Sequence, residues 1–200
     1  MTTLLAATTA AGCGGPSPTS TPAASPLASP TPAIPSTTPG ETAPPTSLGS
    51  AADVPANDPS LLALLPATVD GAAVTEEPES FAEAIGDPDF VASVEAAAFP
   101  FVARSADLAS GVVARLRPGV FSDAFFRDWR DSYNAGACAQ AGGVVGNAEA
   151  QLGGRTVYIA SCAGGLLVYH AWLDQEGVLV SMFSLGEGRF GEQLMDGLQP

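Results

Sequence analysis

Between residues 121 and 133 apolar side chains return at every fourth position, as Phe121, Phe125, Trp129 and Tyr133, which predicts an amphipathic helix with one aromatic stripe. Ser122 or Asp123 is its expected N-cap, Tyr133 its approximate end, and Asp123, Arg127 and Asp131 form i,i+4 charge pairs on the other side. From residue 148 onward the pattern changes to strands. Ala148 to Leu152 and Arg155 to Cys162 flank Gly153-Gly154, a pair able to supply the positive φ of a two-residue hairpin turn. Ala163-Gly164-Gly165 turns the chain into Leu166 to Leu173, and Asp174 to Gly177 turns it into Val178 to Leu185. These runs predict a four-strand antiparallel meander, and LLVYHAWL and VLVSMFSL are apolar on both faces, as central strands covered on each side must be.

Elements on either side complete the reading. Ser80 and Glu83 have the spacing of a capping box for a short helix ending at Gly86. Asp87 then caps another, with Pro88 in its first turn and Phe90 and Val94 facing inward. Gly111 to Leu116 predicts a strand stopped by Pro118-Gly119, and Phe190, Leu194 and Leu198 a C-terminal helix. The expected class is therefore α+β, an antiparallel four-strand meander packed against helices. This order resembles cystatin-like and NTF2-like folds, and the resemblance implies a pocket between helix and sheet. Its expected lining is Trp129, Tyr133, Tyr169 and Trp172, with His170 as the polar handle, and the competing assignment for the same residues is plain core.

Composition divides the chain. Ten of the 18 prolines lie between Pro16 and Pro45, and through Asn57 the only charged side chains are Glu41 and Asp53. Proline fixes φ and removes donors, so residues 14 to 57 are expected to be a disordered Pro/Ser/Thr-rich stalk. Before it stands MTTLLAATTAAGC, in which small residues lead to Cys13. This resembles the end of a bacterial lipoprotein signal peptide, residues 1 to 13. The resemblance implies cleavage before Cys13, acyl chains on its sulfur, and residence at the membrane on the extracytoplasmic face. The alternative is an ordinary thiol in an Ala/Thr-rich tail. Residues 58 to 200 are left as a single domain.

That domain holds all seven arginines and 19 of the 21 acids, a formal charge of 7 − 19 = −12, and the chain has no lysine. With no basic patch, nucleic acid is excluded as a partner class. Setting Cys13 aside leaves Cys138 and Cys162, without a CxxC or Cys/His cluster, so one disulfide is expected if the protein is exported; two free thiols are the cytosolic alternative. His170 is the only histidine, no GxSxG elbow or metal-ligand spacing is present, and neither a catalytic residue, a metal nor a cofactor is assigned. The expected function is a tethered, non-catalytic domain that binds a small molecule, a glycan or a protein. An envelope hydrolase working through carboxylates or His170 is the other reading.

Overall fold

A computed structural model describes residues 54 to 199. Cys13 and the expected stalk up to residue 53 lie outside the described residues. The strands are β1 (Ala56–Asn57), β2 (Thr68–Val69), β3 (Ala72–Ala73), β4 (Thr75–Glu76), β5 (Val94–Ala98), β6 (Pro100–Arg104), β7 (Asp107–Leu116), β8 (Val144–Leu152), β9 (Arg155–Cys162), β10 (Leu167–Leu173) and β11 (Val178–Leu185). The helices are α1 (Pro78–Ala84), α2 (Pro88–Ser93), α3 (Asp123–Cys138) and α4 (Phe190–Asp196), with short 3-10 turns at Pro59–Leu64 and Ala139–Ala141.

The class is α+β, with one large sheet and helices packed on it. Its path is β1-β5-β7-β11-β10-β9-β8, with β6 beside β7 and β4 beside β6. The sheet is wider than the four expected strands because β7 is ten residues long and carries two partners on its free side: β5 along Ala114 and its neighbours, β6 along Ala109 and its neighbours. Gly111 lies against β11 with no room for a side chain; a Cβ there would lie 2.1 Å from the Ser181 carbonyl oxygen. β1 pairs parallel with β5, Ala56 opposite Ala96. Residues just before Asp58 thus join the sheet, held by the buried Pro55 and by the bond from Asp58 N to the Ala97 carbonyl.

Alternation sorts each strand between two layers. On one face Val113, Val157, Tyr169, Val180 and Met182 pack under α4 and the Pro59–Leu64 turn, with Phe190, Leu194 and Leu61 as the covering side chains. On the other, Val94, Val112, Ala114 and Leu179 lie under α1, α2 and α3. Two-sided burial is what the unbroken apolar runs in β10 and β11 require, each buried Val or Leu contributing about 1.5–3 kcal/mol.

Several local expectations are corrected. α3 continues past Tyr133 to Cys138, so the disulfide to Cys162 joins the helix's last residue to the last residue of β9, with Cα atoms 5.3 Å apart. Ser122 is the α3 N-cap and its hydroxyl accepts from Phe125 N at 3.1 Å. Asp131 is held by Arg130 Nε at 3.1 Å and not by Arg127, the Arg130 guanidinium lying beside it where it packs on the Tyr158 ring. The Ser80–Glu83 capping box does not form: Pro78 opens α1 two residues earlier, and Ser80 donates instead to the Glu77 carboxylate at 2.9 Å. α2 is capped as its sequence predicts, Asp87 accepting from Asp89 N, but it ends at Ser93, and Val94 begins β5.

Candidate functional site

The 16 residues of α3 lie across the sheet and separate two openings on that face. Successive helical residues are turned by about 100°, so the row Phe125, Trp129, Tyr133 looks to one side and the neighbouring row Arg130, Asn134 to the other.

On the first side a groove of about 980 Å³ lies between α3, the α1–α2 segment and strands β7 and β11. Phe90, Phe99, Phe125, Trp129, Tyr133 and Phe183 give it aromatic walls. Phe90 bridges them, its ring centroid 6.3 Å from Phe99 and 6.2 Å from Trp129. The acids among the lining are Glu83, Asp87, Asp89 and Asp128, and no arginine or histidine joins them. Burial pushes the Tyr133 phenol well above its ordinary range, so it is a neutral hydroxyl here, 3.5 Å from the Ser181 carbonyl that accepts from it.

Behind the groove runs a buried polar chain. The β10–β11 register sets His170 opposite Ser181, both fully buried. Trp129 Nε1, which can only donate, gives its hydrogen to Ser181 Oγ at 3.0 Å. Ser181 Oγ lies 2.8 Å from His170 Nδ1, and His170 Nε2 lies 2.9 Å from Asn134 Oδ1. With Asn134 Oδ1 as acceptor, Nε2 carries the imidazole proton and the Ser181 hydroxyl donates to Nδ1. The bonds then run in one direction, Trp129 to Ser181 to His170 to Asn134. Desolvation, and secondarily the charge of Arg130, lower the His170 pKa from 6.5 to about 3, which keeps the ring neutral. Tyr133 packs edge-on against it at 5.4 Å.

At the far end of this chain is a cleft of about 540 Å³ between α3 and strands β8 and β9, lined by Arg130, Asp131, Asn134, Asn147, Glu149 and Tyr158.

Of the five residues predicted to form a pocket, Trp129 and Tyr133 do line the groove, while His170 lies beneath it and reaches it through Ser181. Trp172 is on the same face but stacks on Phe121, centroids 3.9 Å apart, with its indole nitrogen 3.3 Å from Asp174 Oδ1. Tyr169 points into the opposite layer under α4. Burial there, followed by the nearby Glu192 charge, raises its pKa to about 12, and its hydroxyl has no partner among the described residues. Sequence reasoning missed Asn134 and Ser181. A signal for Ser181 existed: closing β10 on β11 through residues 174 to 177 places the one histidine of an apolar run opposite the first of the two serines of the next. Asn134 had no such signal, since the helix was expected to end one residue before it.

Among the described residues, no group of three or more His, Cys, Asp or Glu side chains is placed to hold a metal, and no helix is long and apolar enough to cross a membrane. In comparison with known proteins, no family model matches the chain, and neither a curated protein nor a solved structure matches it.

Proposed function

We propose that this chain is a cell-envelope lipoprotein, held to the membrane through lipid on Cys13 and a Pro/Ser/Thr-rich stalk, whose α+β domain is a non-catalytic binding module. Its ligand is a small molecule with an apolar body and a cationic head, seated in the groove beside α3. The observation that carries this reading is the lining itself: aromatic walls with four acids and no basic side chain. Aromatic faces attract cations through their quadrupole, the acids add a negative field, and the apolar walls reward a hydrophobic body. A helix laid over the four consecutive strands β8 to β11, with a pocket beside it, fits the cystatin-like and NTF2-like resemblance. Export fits the Cys138–Cys162 disulfide.

Binding is favoured over hydrolysis by the state of His170. Both ring nitrogens are engaged, the ring is fully buried, and its pKa near 3 makes it a poor base at neutral pH. Glu76, the carboxyl whose pKa burial raises, accepts from Phe99 N and is not among the groove's lining acids.

The test uses the fluorescence of Trp129 in a Trp172→Phe background, which leaves it the one tryptophan. Benzyltrimethylammonium should change the emission saturably and bind at least about tenfold more tightly than benzyl alcohol or phenylacetate. Asp128→Asn should remove most of that margin. Equal binding of the alcohol would defeat the cation assignment, and no saturable change with any of the three would defeat the groove. For the anchor, the intact mass of the protein from its native membrane fraction should equal a chain cleaved before Cys13 plus acyl chains; an unmodified Cys13 in that fraction would overturn it.

A further inference from the structure

The geometry points to a second ligand site, the cleft on the β8–β9 side of α3, and we propose that it takes a small zwitterion of the α-amino-acid class. This stands independently of the groove, because the two openings share none of their lining residues.

Asn134 forms a built floor. It is 4 % exposed, and its Oδ1 is engaged by His170 Nε2 at 2.9 Å. The amide is thereby oriented from behind by the chain that ends at Trp129. Its Nδ2 has no partner among the described residues, so the group that Asn134 offers the cleft is a pair of N–H donors already held in place. The amide nitrogen is open to the cleft and its orientation is fixed in advance, so an acceptor binds it without the cost of ordering the donor, and a carboxylate is the acceptor that rewards it most.

The walls carry both signs of charge. Arg130 is stacked with its guanidinium carbon 5.1 Å from the Tyr158 ring centroid, and Nε is committed to Asp131 at 3.1 Å. Tyr158 is itself fixed by Phe126, edge-on at 5.3 Å. With Nε engaged, the two terminal nitrogens of Arg130 remain to form a fork on a carboxylate beside Asn134. Glu149 stands directly opposite Tyr158 in the β8–β9 register, is exposed, and has no ion pair among the described residues. The cleft therefore holds an Arg130–Asp131 pair whose terminal guanidinium nitrogens are still open to an acceptor, and, facing it, the unpaired Glu149 carboxylate. A simple carboxylate would meet Glu149, Asp131 and the domain's net negative charge, and a simple amine would leave the Asn134 donors and the terminal nitrogens of Arg130 unused. A molecule carrying an ammonium next to a carboxylate satisfies both, and about 540 Å³ leaves room for its side chain.

The experiment is calorimetric titration of the full-length chain with the standard L-α-amino acids, each compared with its N-acetyl and C-terminal amide derivatives. At least one amino acid should bind with Kd below about 1 mM, and loss of either charge should weaken it at least about tenfold. Glu149→Gln should abolish the discrimination against the N-acetyl form, and Arg130→Gln that against the amide. Glu149 is exposed, so its variant should melt within a few degrees of the parent; Arg130 is half-buried against Tyr158, so its variant should melt somewhat lower, with circular dichroism confirming that it is folded. Absence of binding by every amino acid to the folded protein would overturn the proposal, as would binding indifferent to the derivatives or to both substitutions. A monosaccharide that binds where amino acids do not, and is lost in Arg130→Gln, would reassign the cleft to sugars. None of these readouts depends on whether an organic cation enters the groove.

Discussion

His170 is the residue whose physics is most completely determined. A histidine held neutral in the folded state, with its pKa lowered from 6.5 to about 3, makes folding stability depend on pH in one direction. Below pH 6.5 the unfolded chain takes up a proton that the folded chain refuses, so the unfolded state binds more protons and stability falls as pH falls. The contribution is complete above pH 6.5 and is lost progectively down to about pH 3, at up to about 1.4 kcal/mol per pH unit. Carboxylates titrate in the lower part of that window, so the informative interval is pH 6.5 to 5. Urea denaturation there should show stability decreasing in the parent and a markedly flatter dependence in His170→Gln, which has no imidazole to protonate. At pH 7 the variant should be weaker by about 1–3 kcal/mol, since Ser181 and Asn134 lose well-placed partners. A parent and variant with parallel pH dependences would show that His170 is not held neutral.

At the scale of elements, the disulfide closes the loop between α3 and β9. Its two cysteines are 24 residues apart in sequence, and the chain-entropy account gives such a loop about 3 kcal/mol. Reduction, or replacement of both cysteines by alanine, should lower the unfolding free energy by about that amount while leaving the β9–β10–β11 register intact. The expected signature is a lower urea midpoint with little change in far-ultraviolet circular dichroism; an unchanged midpoint would show the bridge to be energetically idle. Elements were legible where local pattern and tertiary need agree. The aromatic stripe of α3, the Gly153-Gly154 turn with φ of 55° and 78°, and the runs of β9 to β11 all announce themselves. The two-residue strands β1 to β4 do not, because pairings such as Ala56 with Ala96 come from tertiary contact and carry no pattern of their own. β6 was missed for a related reason: Pro100 at its start reads as a breaker, although a strand's first residue tolerates proline. The site was half legible. Trp129 and Tyr133 follow from helical spacing, but Asn134 needs the extra turn that carries α3 to Cys138.

At the scale of the whole described domain, residues 54 to 199 form acidic layers in which repulsion is spread widely and few ion pairs relieve it. Residues 58 to 200 carry seven arginines against 19 acids, and the three ion pairs found among the described residues all include a partly exposed partner. Exposed pairs of this kind contribute about 0–1 kcal/mol each, so they do not offset an excess of twelve negative charges. Screening should therefore stabilise the fold. Raising salt from about 0.01 M to 0.15 M shortens the Debye length from about 30 Å to about 8 Å and should raise the melting temperature by about 2–5 °C at pH 7. The same salt acts in the opposite sense on the groove, where Glu83, Asp87, Asp89 and Asp128 supply the field that attracts a cation. Affinity for benzyltrimethylammonium should fall over the interval in which stability rises. Affinity for a zwitterion in the β8–β9 cleft should change little, because its two charges respond to screening with opposite sign. If instead the melting temperature falls with salt, attraction outweighs repulsion on this surface, and the acids around the groove do not set its preference for cations.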